Sequence, residues 1–346
     1  MKITADFVKN GAELIQKKIN EASGTVTISG NFEIEKTISI PSDFHIILEN
    51  CHLRMAGNTF CNMFTNESIN CDGKKDKNII IEGRGNVVLD GGEYNGLSER
   101  TSGKNGLPHI SANNMLLFAQ VDGFRITNLH IRNQRWWAMN FLYCRNGYIG
   151  GIDFCADATY LDENGRLQYG LSLDNYEAIR VKNADGIDIR RGCKNIIIEN
   201  ITGFTEDDTV AITSLPGKLE KRFSLEEDDD ISGIIVRNVM SSSLCSQVRL
   251  LCQGGGKLYN VLVDGVSDTS ATCPCLARGS HAVKIGDLRE YAGVPQSAAE
   301  IYNINVRNVF SRAETAVLIV GPIGEHRAES IMGFDGCIKE IEKINV

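Results

Sequence analysis

The chain has 346 residues, of which 42% are hydrophobic and 23% charged, with a formal net charge of −8. That acidic balance argues against a nucleic-acid partner, because phosphate binding is driven by basic surface. No apolar run approaches the ~20 residues needed to cross a bilayer.

From the N-terminus, residues 6–22 place Leu14, Ile15 and Ile19 at helical spacing. This segment, within a cap of residues 1–24, is expected to cover the open end of whatever follows. Strands are expected at Gly24 to Ser29, Thr37 to Ile40 and His45 to Leu53. A short template then recurs: Asn or Gly, apolar residues one and three positions on, Asn or Gly at the fifth, and an apolar residue at the sixth. Gly123-Phe124-Arg125-Ile126-Thr127-Asn128-Leu129 fits it fully, and it returns from Asn78, Asn146, Asn195, Gly233, Asn260 and Asn303. The starts lie 45, 23, 49, 38, 27 and 43 residues apart, read as one or two turns of roughly 22–24 residues. Alternation within each unit is a strand signature, and Asn or Gly suits the left-handed backbone of a sharp turn. The expectation is one all-β domain over residues 1–346, a coiled β-solenoid with an N-terminal helical cap.

Three stretches interrupt the pattern. Residues 93–113, with Arg100, Lys104 and His109, read as a long loop. The run Glu226-Glu227-Asp228-Asp229-Asp230 reads as a solvated acidic turn, with calcium the functional alternative. Cys273-Pro274-Cys275 is too closely spaced for a usual zinc knuckle. The 11 Cys, an odd number, fit reduced buried thiols. With no apolar leader after Met1, the expectation is a cytoplasmic protein without metal or other cofactor.

The chemistry is concentrated in Asp185, Asp207 and Asp208, spaced by 22 and 23 residues. Residues one coil apart in a solenoid lie one above the other, so these carboxylates should meet on one face. Clustered carboxylates are what glycoside hydrolysis uses. Crowding raises at least one pKa, keeping an acid protonated near neutrality. Trp136 and Trp137 are expected to face opposite ways on a strand, one in the core and one free to stack on a sugar.

Gly83-Arg84-Gly85 with Asp90-Gly91, Asn133-Gln134-Arg135-Trp136-Trp137, Asn183-Ala184-Asp185 and Glu206-Asp207-Asp208 together resemble the polygalacturonase family of glycoside hydrolases, family 28. The resemblance covers most of the length. It implies a right-handed parallel β-helix and single-displacement, inverting hydrolysis. It assigns Asp207 as the general acid, and Asp185 and Asp208 to the attacking water.

The family's Gly-His-Gly and Arg-Ile-Lys do not stand intact here. One register puts Arg249 at the family's Arg and Leu251 at its Lys. The other, which needs no deleted coil and is preferred, puts Ser246 near the family's His and Lys284 at its Arg. Arg249, His281 and Lys284 are expected to form a rebuilt cationic subsite, and Trp137 to bind substrate. The leading function is an exo-acting glycosidase on short pectin-type oligosaccharides imported by the cell. A polysaccharide lyase or intramolecular glycosyl transferase, and a non-catalytic carbohydrate-binding solenoid, are the alternatives.

Overall fold

The computed structural model describes residues 6–70, 73–97, 112–156, 159–175, 184–215, 223–225, 228–268, 279–288 and 296–343. Within them the chain winds as a right-handed parallel β-helix. One sheet has eleven strands, from Thr25–Ile34 to His326–Gly333. The other has ten, from Ile38–Ile40 to Ile338–Lys343. Pairing in both is parallel throughout; a short antiparallel pair, Thr159–Leu161 with Leu167–Tyr169, lies outside them.

The recurring template is the visible trace of this stacking. Asn78, Gly123, Asn146, Asn195, Gly233, Asn260 and Asn303 fall in one column of the larger sheet, each beside the next. All seven have φ between 52° and 79°, the left-handed region that Gly and Asn tolerate best. Side-chain amides then bond along the column, as from Asn195 Nδ2 to Asn146 Oδ1 at 3.4 Å. Three residues further on, Ile81, Ile126, Ile149, Ile198, Val236, Val263 and Val306 stack inside, all at 0% exposure. Each such burial is worth about 1.5–3 kcal/mol relative to an exposed side chain.

Coil length departs from the expected period. Asn78 pairs directly beside Gly123, and Asn146 beside Asn195, so the 45- and 49-residue intervals are single coils rather than two. Excursions between the sheets lengthen these coils without disturbing the register, because only the strands must stack.

The cap forms as Gly11–Glu21. Ala12, Ile15 and Ile19 are buried against the first coil, at spacings of three and four, whereas Leu14 faces outward at 43% exposure. The expected strands appear at Thr25–Ile34, Ile38–Ile40 and Phe44–Met55.

Candidate active site

The site stands on the outer face of the ten-stranded sheet. Ile187, Val210, Val248 and Val283 pair in sequence across four strands and point into the core. Two residues before each of them come Asp185, Asp208, Ser246 and His281, which therefore form a second column. Backbone bonds confirm the register: Gly186 N–H donates to Asp208 O at 2.9 Å, and Thr209 N–H to Ser246 O at 3.0 Å. One residue beyond the core column lie Asp188, Ala211, Arg249 and Lys284, paired in that order and facing outward. The small Ala211 between Asp188 and Arg249 leaves a hollow between the larger side chains.

Asp185, Asp207, Asp208 and Arg249 line that hollow together, a cleft of about 70 Å³ that Trp137, Asp188 and Arg190 also border. A second cleft of about 120 Å³ shares Asp207, Asp208 and Arg249 with it and continues past Ser246 to His281 and Lys284. All the expected site residues therefore border one or both of two adjoining hollows. The register with Ser246 beside Asp208 and Lys284 beside Arg249 needs no missing coil.

Charge in the cleft is unevenly shared. Burial, then the neighbouring Asp188, Asp207 and Asp208, hold Asp185 well above the usual carboxylate range, against the pull of Arg190. Burial and Asp207 push Asp208 up to about 7, opposed by Arg249, a hydrogen bond from Ser246 and Lys284. That bond runs from Ser246 N–H to Asp208 Oδ1 at 3.0 Å, while Asp208 N–H donates to Asp207 Oδ1 at 2.9 Å. Burial and mutual repulsion thus favour the protonated forms of Asp185 and Asp208, and the pair of adjacent Asp is fixed by its own backbone.

The expectation of a three-membered cationic subsite needs correction. Burial, reinforced by Lys284, Arg249 and Lys343, lowers His281 to about 4, so it is a neutral imidazole at pH 7. Arg249 and Lys284 supply the positive charge. Arg249 is 4% exposed and spends Nη1 on Leu250 O at 3.0 Å and Lys284 O at 3.4 Å. Its Nη2 is buried without a hydrogen-bond partner among the described residues.

The tryptophans also differ from expectation. Both precede the strand Met139–Leu142 and lie in a turn, where strand alternation does not apply. They stack on each other at 3.9 Å, 17° between planes, apart from the main core. Trp137 faces Arg190, whose guanidinium lies 4.5 Å from its ring centroid. Arg190 also donates to Thr213 Oγ1 at 2.5 Å and approaches Asp188 Oδ1 at 3.9 Å. Asp188, Arg190 and Thr213 are cleft residues that the sequence reading missed. The available signal was alternation: in Ile187-Asp188-Ile189-Arg190, inward isoleucines leave the two charges facing out.

The remaining stretches contribute less. Most of the 93–113 loop, including Arg100, Lys104 and His109, lies outside the described residues, as do Asn183, Glu226, Glu227 and the Cys273-Pro274-Cys275 segment. The rest of the acidic run is not a free solvated turn. Asp228 pairs with Lys194, Asp229 with Arg191, and Asp230 Oδ1 accepts from Lys257 N–H at 2.9 Å. These bonds tie Asp228, Asp229 and Asp230 to neighbouring coils.

Solved structures of the same architecture set the context. The chain is similar to the pre-mature gene product 12 of bacteriophage phi29 (TM-score 0.67, 13% identity, 96% of this chain and 40% of that one). It is also similar to an iota-carrageenase solved with iota-carrageenan fragments (0.60, 15%, 97% and 89%). A polygalacturonase from Erwinia carotovora ssp. carotovora matches at 0.52 and 14% identity, over 100% of this chain and 95% of that one. At such identities the likeness is one of fold. No curated protein matches the chain. The sequence pattern described as "Glycosyl hydrolases family 28" matches residues 20–222, more than half the chain, and the protein belongs to that family.

Proposed function

We propose that the protein is an inverting, exo-acting glycoside hydrolase of short pectin-type oligosaccharides. The observation that carries the reading is the meeting of Asp185, Asp207 and Asp208 in one cleft beside Arg249. Asp207 protonates the leaving glycosidic oxygen. Asp185 and Asp208 hold the water, and Asp208, in its ionised form, accepts its proton as the oxygen attacks the anomeric carbon and the C–O bond breaks from the opposite face. A base with a pKa of about 7 is half ionised at neutrality, a suitable compromise between availability and strength. Each step uses side chains alone.

The substrate class is supported by family membership and by Arg249 and Lys284, which favour an acidic sugar. Cys51, Cys61, Cys144, Cys193 and Cys252, thiols outside any disulfide, agree with a reducing, cytoplasmic setting. In such a setting the substrate is a short, imported oligosaccharide. The test is a panel of aryl glycosides and pectic oligosaccharides, with Asp207→Asn protein as control. Release of sugar by the wild type alone supports the reading. Formation of an ultraviolet-absorbing unsaturated product identifies a lyase instead, and no turnover of any pectic member rejects the function.

A further inference from the structure

The two columns that carry the site do not end at His281 and Lys284. His281 pairs with Thr315 and Thr315 with Ile338, while Lys284 pairs with Leu318 and Leu318 with Ile341. Over these last two strands the outward side chains change from charged to mostly aliphatic. They form the floor of a third hollow of about 460 Å³, larger than either of those around the Asp residues, with Glu314 and Lys343 at its rim. His281 borders both this hollow and the second cleft. Its Nδ1 is buried with no hydrogen-bond partner among the described residues. From the strand after Asp208 to the strand of Ile338 there are four steps, about 19 Å at the usual strand spacing.

Resting on the proposed glycosidase reading, we infer that this third hollow is a distal subsite for the leaving-group end of an acidic oligosaccharide, reached along the sheet past His281. The chemistry fits a pyranose. One ring face is apolar and can lie on Leu318, Ile338 and Ile341; Ile338 is 52% exposed, an aliphatic surface that a sugar would cover. Ring hydroxyls and a carboxylate find Thr315, Glu314 and Lys343 at the edge, and the buried His281 nitrogen answers a group passing between hollows. Trp137 and Arg190 border the opposite end of the trough. The cleaved terminal sugar therefore sits at the tryptophan end, and the rest of the chain extends toward the last coil. Most of the lining of this hollow lies on the last two coils, beyond residue 222, where the family match ends.

The experiment uses oligogalacturonides of two, three, four and five residues. Calorimetry measures binding to Asp207→Asn protein, and initial rates measure cleavage by the wild type. An occupied distal hollow strengthens binding by about tenfold when the oligomer first becomes long enough to reach it, the equivalent of one or two net hydrogen bonds. Adding Ile338→Glu, a change at an exposed position that places an anion on the floor, removes that step; Glu314→Ala reduces it. Binding that shows the step without any cleavage rejects the glycosidase reading and leaves the subsite standing. A dimer bound and cleaved with no gain on lengthening, or a gain that survives Ile338→Glu, overturns the subsite. Failure of every oligomer to bind overturns both.

Discussion

Ser246 stands one coil beyond Asp208, and its backbone N–H donates to the Asp208 carboxylate at 3.0 Å. This bond ties the adjacent Asp pair to a strand on which Arg249 follows three residues later. The proposed base, Asp208, and Arg249 are thus placed by one parallel register, and the following consequences depend on it.

Asp207→Asn removes proton delivery to the leaving oxygen and lowers cleavage of natural oligosaccharides by on the order of 10²–10⁴-fold. Asp208→Asn fails comparably through water activation. Nitrophenyl glycosides, whose leaving group needs no proton, restore much of the rate to Asp207→Asn and little to Asp208→Asn. Steady-state kinetics on both substrate types check the assignment; equal rescue of the two variants reverses or abolishes it.

Stability should depend on pH through Asp208. Its folded pKa of about 7 exceeds the value of about 3.9 for an unfolded Asp, so the folded state holds the extra proton between those limits. The contribution is complete below pH ~4 and lost as pH rises through 7. Asp208→Asn removes the titration while keeping an acceptor for Ser246 N–H. Thermal melts should show the variant more stable than wild type at pH 8, with the gap closing toward pH 4.

Arg249→Met takes away a charge that holds Asp208 down. The rising limb of the pH–rate profile, which reports ionisation of the base, should therefore move to higher pH. Arg249→Lys, which keeps the charge, moves it less. A profile of kcat/KM with pH separates this from a purely structural loss, which lowers the rate without shifting the limb.

The ladder of left-handed Asn residues predicts a distinct stability pattern. Asn238 has φ 52° and its Nδ2 donates to Asn200 Oδ1 at 3.2 Å. Asn238→Ala loses that bond and places a Cβ-bearing residue without local support in the left-handed region, for a cost of about 1–2 kcal/mol. Asn238→Gly loses the bond but relieves the backbone, so urea unfolding should rank it between wild type and Asn238→Ala.

The parts of this architecture that obey strict periodicity were legible in the sequence. Asn195 or Gly233 announces a coil because stacking demands the same backbone turn at each level. The placing of the three Asp residues in one cleft was legible the same way. Coil lengths were misread because an excursion such as that between Asn146 and Asn195 costs the stack nothing and so carries no periodic mark. Trp136 and Trp137 defeated the alternation rule by lying in a turn. His281 was assigned charge from its type, whereas burial beside Arg249 and Lys284 makes it neutral. Asp188 and Arg190 were legible in principle but lacked a motif to draw attention to them.

The central claim is that these carboxylates hydrolyse a glycosidic bond in a single displacement. Proton NMR of the first-formed product, recorded before mutarotation, tests it most directly. An α-linked pectic oligosaccharide cleaved by the wild-type protein should release the β-anomer first, with no unsaturated product. Initial release of the α-anomer would require a covalent intermediate or a second displacement, and would contradict the account.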